Sequence, residues 1–229
     1  MLVVLFNLLF YASTITRKFV TGFSIFVAYW IIFDYMKAFP NYEYSTVHIA
    51  DVYNLEKHLF GIHSQGKMLT PNEYLRFNGR PFLAVLPGFF YLCWIPVPMG
   101  FAVYLFFTRR RQFLLFLFTF VLVNFVGFIV YYTFPVAPPW YIQDHGFTFH
   151  ELRTGSTAGL AKFDAYFNVN IFKSIYSNSS NVFAAMPSLH SSYPIIVLYY
   201  GLKNKVGKAN MLLGLVMIGI WFSAVYLSH

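Results

Sequence analysis

Two histidines set beside serines carry the chemistry this sequence can offer. The first lies in Ala185-Met186-Pro187-Ser188-Leu189-His190-Ser191-Ser192. Proline suits the first turn of a helix, because its missing N–H would have had no partner there anyway. The other N–H groups of such a turn, together with the helix dipole, make a seat for an anion such as phosphate. Ser188 adds a hydroxyl, and His190 can give or take a proton near neutral pH. The second histidine closes Ser223-Ala224-Val225-Tyr226-Leu227-Ser228-His229. Two imidazoles, one attacking phosphorus and one protonating the departing oxygen, suit phosphoryl transfer. The same residues equally suit a plain helix cap at headgroup depth and a frayed chain end, so the pattern alone leaves both readings open.

The elements that must hold these residues are dictated by composition. Of 229 residues, 58% are hydrophobic and 10% charged, against roughly a quarter charged in a soluble domain. That excludes a water-soluble single domain, which has no way to cover so much apolar surface. Five stretches approach the roughly 20 apolar residues that cross a bilayer: Phe19 to Met36, Phe82 to Phe107, Phe113 to Phe134, Val182 to Leu202 and Ala209 to Leu227. Met1 to Ile15 is apolar but short, has neither the basic start nor the cleavage site of a signal peptide, and reads as an interfacial or partial helix. The expected fold class is therefore all-α, a polytopic membrane helix bundle forming one unit over residues 1–229, with no internal repeat or linker to divide it. Pro87, Pro96 and Pro98 predict kinks in the second span, and Asn41 to Arg80 reads as short amphipathic helices on the membrane surface.

Charge orients the bundle. Arg17 and Lys18, the run Arg109-Arg110-Arg111, and Lys203, Lys205 and Lys208 occupy three short segments free of acidic residues, and the net charge of +8 resides there. The positive-inside rule makes that side cytoplasmic, so 37–81, 135–181 and the C-terminal residues face a periplasm or an organelle lumen. In this setting the excess of lysine and arginine signals orientation, and nucleic acid is not an expected partner. A single cysteine, Cys93, excludes an internal disulfide and cysteine-based zinc sites. His58 and His63 with Asp51 and Glu56 fit no firm ligand spacing, so no metal and no cofactor is expected.

Pro187-Ser188-Leu189-His190 resembles the second motif of the type 2 phosphatidic acid phosphatase (PAP2) superfamily, and Ser223 to His229 resembles the opening of its third. The chain is most similar to the inositol phosphorylceramide synthase branch, the fungal aureobasidin target. The similarity lies in Phe134-Pro135, Ala137-Pro138-Pro139-Trp140-Tyr141, His145-Gly146, Gly159-Leu160-Ala161-Lys162 with Asp164, Asn178-Ser179-Ser180, Pro187 to Ser191 and Tyr226 to His229, so residues 134–229 carry the motifs. Two departures stand out. The lysine of the superfamily's first motif is absent, since Glu73 stands seven residues before Arg80-Pro81, and by the family's spacing the nucleophilic histidine falls one residue past His229. A longer natural protein with a sixth helix is therefore expected. Ala224 stands where phosphatases of the superfamily carry an arginine, which favours a synthase.

The resemblance implies transfer of inositol phosphate from phosphatidylinositol to ceramide through a phosphohistidine. In that scheme His190 is the acid, His229 or its successor the nucleophile, Ser188 and Lys162 bind phosphate, Asp164 serves the inositol or orients a base, and His145 holds the headgroup. The partners are phospholipid, ceramide and the bilayer. Two other readings remain, a lipid phosphate phosphatase using water and a non-catalytic lipid-binding membrane protein.

Overall fold

The computed structural model describes residue 8 and residues 13–79, 81–152, 154–177 and 181–228, leaving out the side chains of residues 37 and 81–84. His229, residues 178–180 and nearly all of the Met1 to Ile15 segment lie outside that set. Helix α1 (Thr14–Tyr35) opens on Ser13, whose Oγ accepts from the Thr16 N–H at 3.1 Å. This cap starts the helix five residues before the expected Phe19, so Arg17 and Lys18 ride on its first turns instead of preceding it.

A connecting layer follows, made of α2 (Ala50–Phe60), the hairpin β1 (Ile62–Ser64) and β2 (Lys67–Leu69), and α3 (Pro71–Asn78). Short helices were expected here; the hairpin departs from an all-α chain and forms around Gln65-Gly66, both with positive φ. A reciprocal capping box starts α3: Thr70 Oγ1 accepts from the Glu73 N–H, and the Glu73 carboxylate accepts from the Thr70 N–H.

The expected second span is two helices, α4 (Pro81–Leu92) and α5 (Pro96–Thr108), joined by a turn at 93–95. Pro96 and Pro98 have no N–H to return to the carbonyls of Leu92 and Trp94, so the helix breaks where a kink was expected. Helix α6 (Arg110–Thr133) lies against α1 through an aromatic seam. Phe23 meets Phe113 at 5.4 Å between ring centroids, Phe26 meets Phe120 at 5.2 Å and Tyr29 stacks on Phe128 at 5.9 Å. Between apolar helices in lipid, such ring packing supplies the cohesion that burial supplies in water.

On the far side, α7 (Pro139–His145), α8 (Ala161–Phe167) and α9 (Ile171–Tyr176) build a small outer layer. The last two long helices are α10 (Leu189–Lys203) and α11 (Ala209–Tyr226). Here the structure corrects the fourth span: residues 182–188 are not helical. Val136 sits between two extended segments, its N–H donating to Phe183 O at 2.9 Å while the Ala137 N–H donates to His48 O at 3.0 Å. Helix α10 therefore has 15 residues and rises about 22 Å, short of a hydrocarbon core of about 30 Å.

Four stretches among the described residues are long and apolar enough to cross a membrane: Thr14–Tyr35, Val85–Thr108, Arg110–Thr133 and Ala209–Tyr226. With α10 among them they form a polytopic helical membrane protein. Tyr200 near the end of α10 meets Thr119 Oγ1 at 2.8 Å, whereas Leu189 at its start packs on Gly127. Helices α6 and α10 are thus antiparallel, which puts Arg109 to Arg111 and Lys203 to Lys208 at one end and α7 to α9 at the other.

Candidate active site

Helices α10 and α11 run antiparallel through a five-residue connection, so the start of one and the end of the other lie at the same end of the bundle. His190 stands in the first turn of α10, and Ser228 follows the last turn of α11. Trp221 Nε1 donates to Ser191 O at 3.0 Å and ties the two helices at that level.

Ser188 is the N-cap of α10, its Oγ accepting from the Ser191 N–H at 3.3 Å. The hydroxyl oxygen is therefore engaged, and one N–H of the expected phosphate seat is already used. The approach to the cap is fixed from two sides. Tyr131 donates its hydroxyl to Pro187 O at 2.8 Å. Asn41, fully buried, donates through Nδ2 to both Tyr131 O and Phe183 O at 3.0 Å. Behind the cap, Asn124 Oδ1 accepts from the Tyr193 hydroxyl at 2.6 Å, which gives this buried amide of α6 an interhelical partner. His190 lies against aromatic rings, 4.4 Å from Trp94 edge-on and 5.3 Å from Tyr91. Because Leu189 packs on Gly127, six residues before the end of α6 at Thr133, His190 is recessed by about 9 Å from that end.

The end of α11 is gripped by α7 and by the short turn at 158–160. Trp140 N–H donates to Ser228 O at 3.2 Å, and Gln143 Nε2 donates to Ser228 Oγ at 3.1 Å. Gly159 N–H donates to Leu227 O at 3.2 Å, an approach so close that a Cβ at Gly159 would lie 3.0 Å from Leu227 Cα. Ser223, the buried start of the same motif, directs its hydroxyl to Pro87 O at 2.9 Å and anchors α11 to α4. Three sequence segments singled out separately, 138–141, 159–162 and 223–228, thereby converge on the backbone that leads into His229.

Beside this grip is a pocket of about 300 Å³. Lys162 lines it, with Arg76, Gln143, Asp144, Tyr226 and Ser228 among the other walls. Arg76 was not foreseen: it comes from α3, donates to Gln143 Oε1 at 2.6 Å and pairs with Asp144 at 3.5 Å. His190 is not part of the lining; it packs on Tyr91, a ring in one buried cluster with Tyr226 and Leu227, which do line the pocket.

Two expected ligand residues have different surroundings. Asp164 is buried and does not line the pocket. Its Oδ1 accepts from the Phe172 N–H at 3.2 Å and its Oδ2 from the Lys173 N–H at 2.9 Å, so the carboxylate caps α9. His145 ends α7 facing Tyr141, with His150 5.8 Å away, and also lies outside the pocket lining. Asp51 pairs with His48, Glu56 accepts from Asn72 Nδ2 at 3.2 Å, and among the described residues no three His, Cys, Asp or Glu side chains gather as a metal site.

Outside the membrane helices two acids and two phenols are perturbed, among them Tyr176 of α9, which burial raises well above its usual range. Partial burial, helped by the Glu73 charge, raises Glu56 above its usual range. Tyr53 is pushed up to about 12, first by burial and then by its bond to Glu73. Asp51 moves the other way: slight burial pushes it up, but the bond to His48 and nearby backbone N–H groups outweigh that and lower it.

Residues 66–229 match the family model of the PAP2 superfamily. The chain is 41% identical over 230 residues to a phosphoinositol dihydroceramide synthase of Bacteroides thetaiotaomicron, a match covering 98% of this chain and 74% of that protein. It is 33% identical over 111 residues to the inositol phosphorylceramide synthase catalytic subunit AUR1 of Saccharomyces cerevisiae, covering 46% of this chain and 26% of that one. A third match, 32% over 117 residues, is to inositol phosphorylceramide synthase of Candida albicans, covering 49% of this chain and 24% of that one. No solved structure matches the chain. With a family match over residues 66–229 and the second and third motifs meeting at one end of its bundle, the chain belongs to the PAP2 superfamily.

Proposed function

We propose that this protein transfers inositol phosphate from phosphatidylinositol to a ceramide, on the non-cytoplasmic face of the membrane. The observation that carries the reading is the convergence of the 138–141 and 159–162 segments on Ser228, next to a pocket with two cationic side chains. Similarity to two kinds of inositol phosphorylceramide-forming synthase supports the substrate pair.

In the proposed first step an imidazole nitrogen, at or just after His229, attacks the phosphorus of the donor. The bond from phosphorus to the diacylglycerol oxygen breaks as His190 gives that oxygen its proton. In the second step His190, now neutral, takes the proton of the ceramide primary hydroxyl, the ceramide oxygen attacks phosphorus, and the phosphorus–nitrogen bond breaks. Lys162 offsets the charge developing on the phosphoryl oxygens. Asp164 acts at one remove: by capping α9 it holds α8, which carries Lys162, against the end of α11. The recessed position of His190 suits a phosphodiester at headgroup depth better than a soluble phosphate ester.

The test is product analysis with full-length protein, phosphatidylinositol labelled in the headgroup, and ceramide in mixed micelles. The reading predicts labelled inositol phosphorylceramide and an equal amount of diacylglycerol. Water-soluble inositol phosphate or inorganic phosphate as the main product would establish a phosphatase instead.

A further inference from the structure

Three polar side chains at the pocket mouth have no part in the transfer chemistry itself. Arg76 Nη1 donates to Gln143 Oε1 at 2.6 Å, Arg76 Nη2 lies 3.5 Å from Asp144 Oδ1, and Gln143 Nε2 donates to Ser228 Oγ at 3.1 Å. They form a chain from α3, through the last turn of α7, to the residue that precedes His229. Both ends of the Gln143 amide are used, which fixes its orientation. The ion pair is half open, with the Arg76 and Asp144 side chains 49% and 42% exposed, so each keeps edges available to a ligand.

We infer that Arg76, Gln143 and Asp144 form the subsite that selects a polyol headgroup, an inositol ring in preference to a glycerol or an amine. This inference rests on the transfer reaction proposed above. Three arguments carry it. Among the described lining residues the charges are Arg76, Lys162 and Asp144, a balance of +1 that complements the single negative charge of a phosphodiester. A carboxylate accepts hydrogen bonds from neighbouring hydroxyls, and a guanidinium fork donates to others, so the pair reads a ring of vicinal hydroxyls through several bonds at once. Finally, Asp144 is already neutralised by Arg76, so an ammonium headgroup finds no uncompensated anion to meet. A volume of about 300 Å³ falls at the small end of ligand pockets and suits one ring with its phosphate.

The chain also explains how selection connects to reaction. A ring seated on Asp144 and Arg76 presses on Gln143, and Gln143 holds Ser228. A correctly bonded headgroup thus secures the backbone that sets the nucleophile, whereas a smaller headgroup leaves it less constrained.

The test uses full-length protein with ceramide and two donors, phosphatidylinositol and phosphatidylglycerol, for wild type, Asp144→Asn and Arg76→Lys. Loss of one hydrogen-bonding group predicts a kcat/KM for phosphatidylinositol lowered about tenfold, with the preference over phosphatidylglycerol reduced by the same factor. A second readout is independent of turnover: myo-inositol 1-phosphate should raise the melting temperature of wild type and not of either variant. Equal changes for both donors, or a melting shift that persists in the variants, would overturn the subsite. Failure of the transfer reading is separable, because wild type would then make no inositol phosphorylceramide while the melting shift and its loss would still report on the subsite. Each variant tests the idea alone, so poor folding of one leaves the other decisive.

Discussion

Replacing Gly159 with alanine tests whether the loops around Ser228 position the chemistry. The added Cβ would lie 3.0 Å from Leu227 Cα and 3.3 Å from Leu227 O, where ordinary contacts begin at 3.4 Å. Besides the Leu227 Cδ2 methyl, these opposing atoms are backbone, which cannot swing aside, so residue 159 and the end of α11 must separate by about 0.4 Å. A misplacement of 1 Å at a reacting centre costs about a hundredfold, so this shift should lower kcat by about sixfold. The fold should tolerate it, since overpacking of this size falls near the low end of the 1–3 kcal/mol range. The assay is initial-rate transfer of labelled headgroup to ceramide, with thermal unfolding of the same preparation. Gly214→Ala is the control: nothing lies within 4 Å of its Cβ position, and the change should leave kcat alone while firming α11 by about 0.5–1 kcal/mol. An unchanged kcat in folded Gly159→Ala protein would refute the positioning argument.

Other outcomes follow from the supports of the His190 cap. Asn41→Ala leaves the Tyr131 and Phe183 carbonyls without their side-chain donor and should cost about 1–3 kcal/mol in chemical unfolding, with transfer falling as the cap loosens. Tyr131→Phe removes the bond to Pro187 O and the hydroxyl's bond with the Leu189 backbone; it should cost about 0.5–1.5 kcal/mol and lower kcat more than it raises KM. Glu56 gives a pH-dependent result. Its folded value is raised above 4.5 by burial and Glu73, so the folded state holds more protons and stability falls as pH rises from 4.5 through that raised value. Glu56→Gln should therefore melt higher than wild type at pH 8 and no higher at pH 4.

How much of this was legible in the sequence depends on the range of the interaction. The Ser188 cap was readable because capping is local, and the structure has Ser188 as the N-cap, but Pro187 stands one residue before the cap and not in the first turn. The start of that helix was set too early, at Val182, because Val182 to Met186 is apolar enough to continue a span. What prevents it is the pairing of the Phe183 carbonyl with Val136, 47 positions upstream, which no local pattern reveals. The break at 93–95 was half legible: three prolines announced a bend, but not that two of them would end one helix and begin another. Asp164 shows what a resemblance leaves out. The similar segment implies a role toward inositol or a base, whereas its work as the cap of α9 depends on the N–H groups of Phe172 and Lys173, which no motif marks. Arg76 was passed over because its partners Gln143 and Asp144 are 67 and 68 positions away, and nothing in the composition of 71–78 distinguishes it from a solvated helix end.

The most direct test of the account is whether His190 is the proton donor to the leaving oxygen. His190→Ala in the full-length protein should lower transfer from phosphatidylinositol by about 10² to 10⁴, the range a general acid contributes. A 4-nitrophenyl ester of inositol phosphate releases a phenolate that needs no proton, so with this donor the formation of the covalent intermediate, followed as nitrophenolate release, should be nearly as fast in the variant as in wild type. Equal losses with both donors, or no loss with either, would contradict the role assigned to His190.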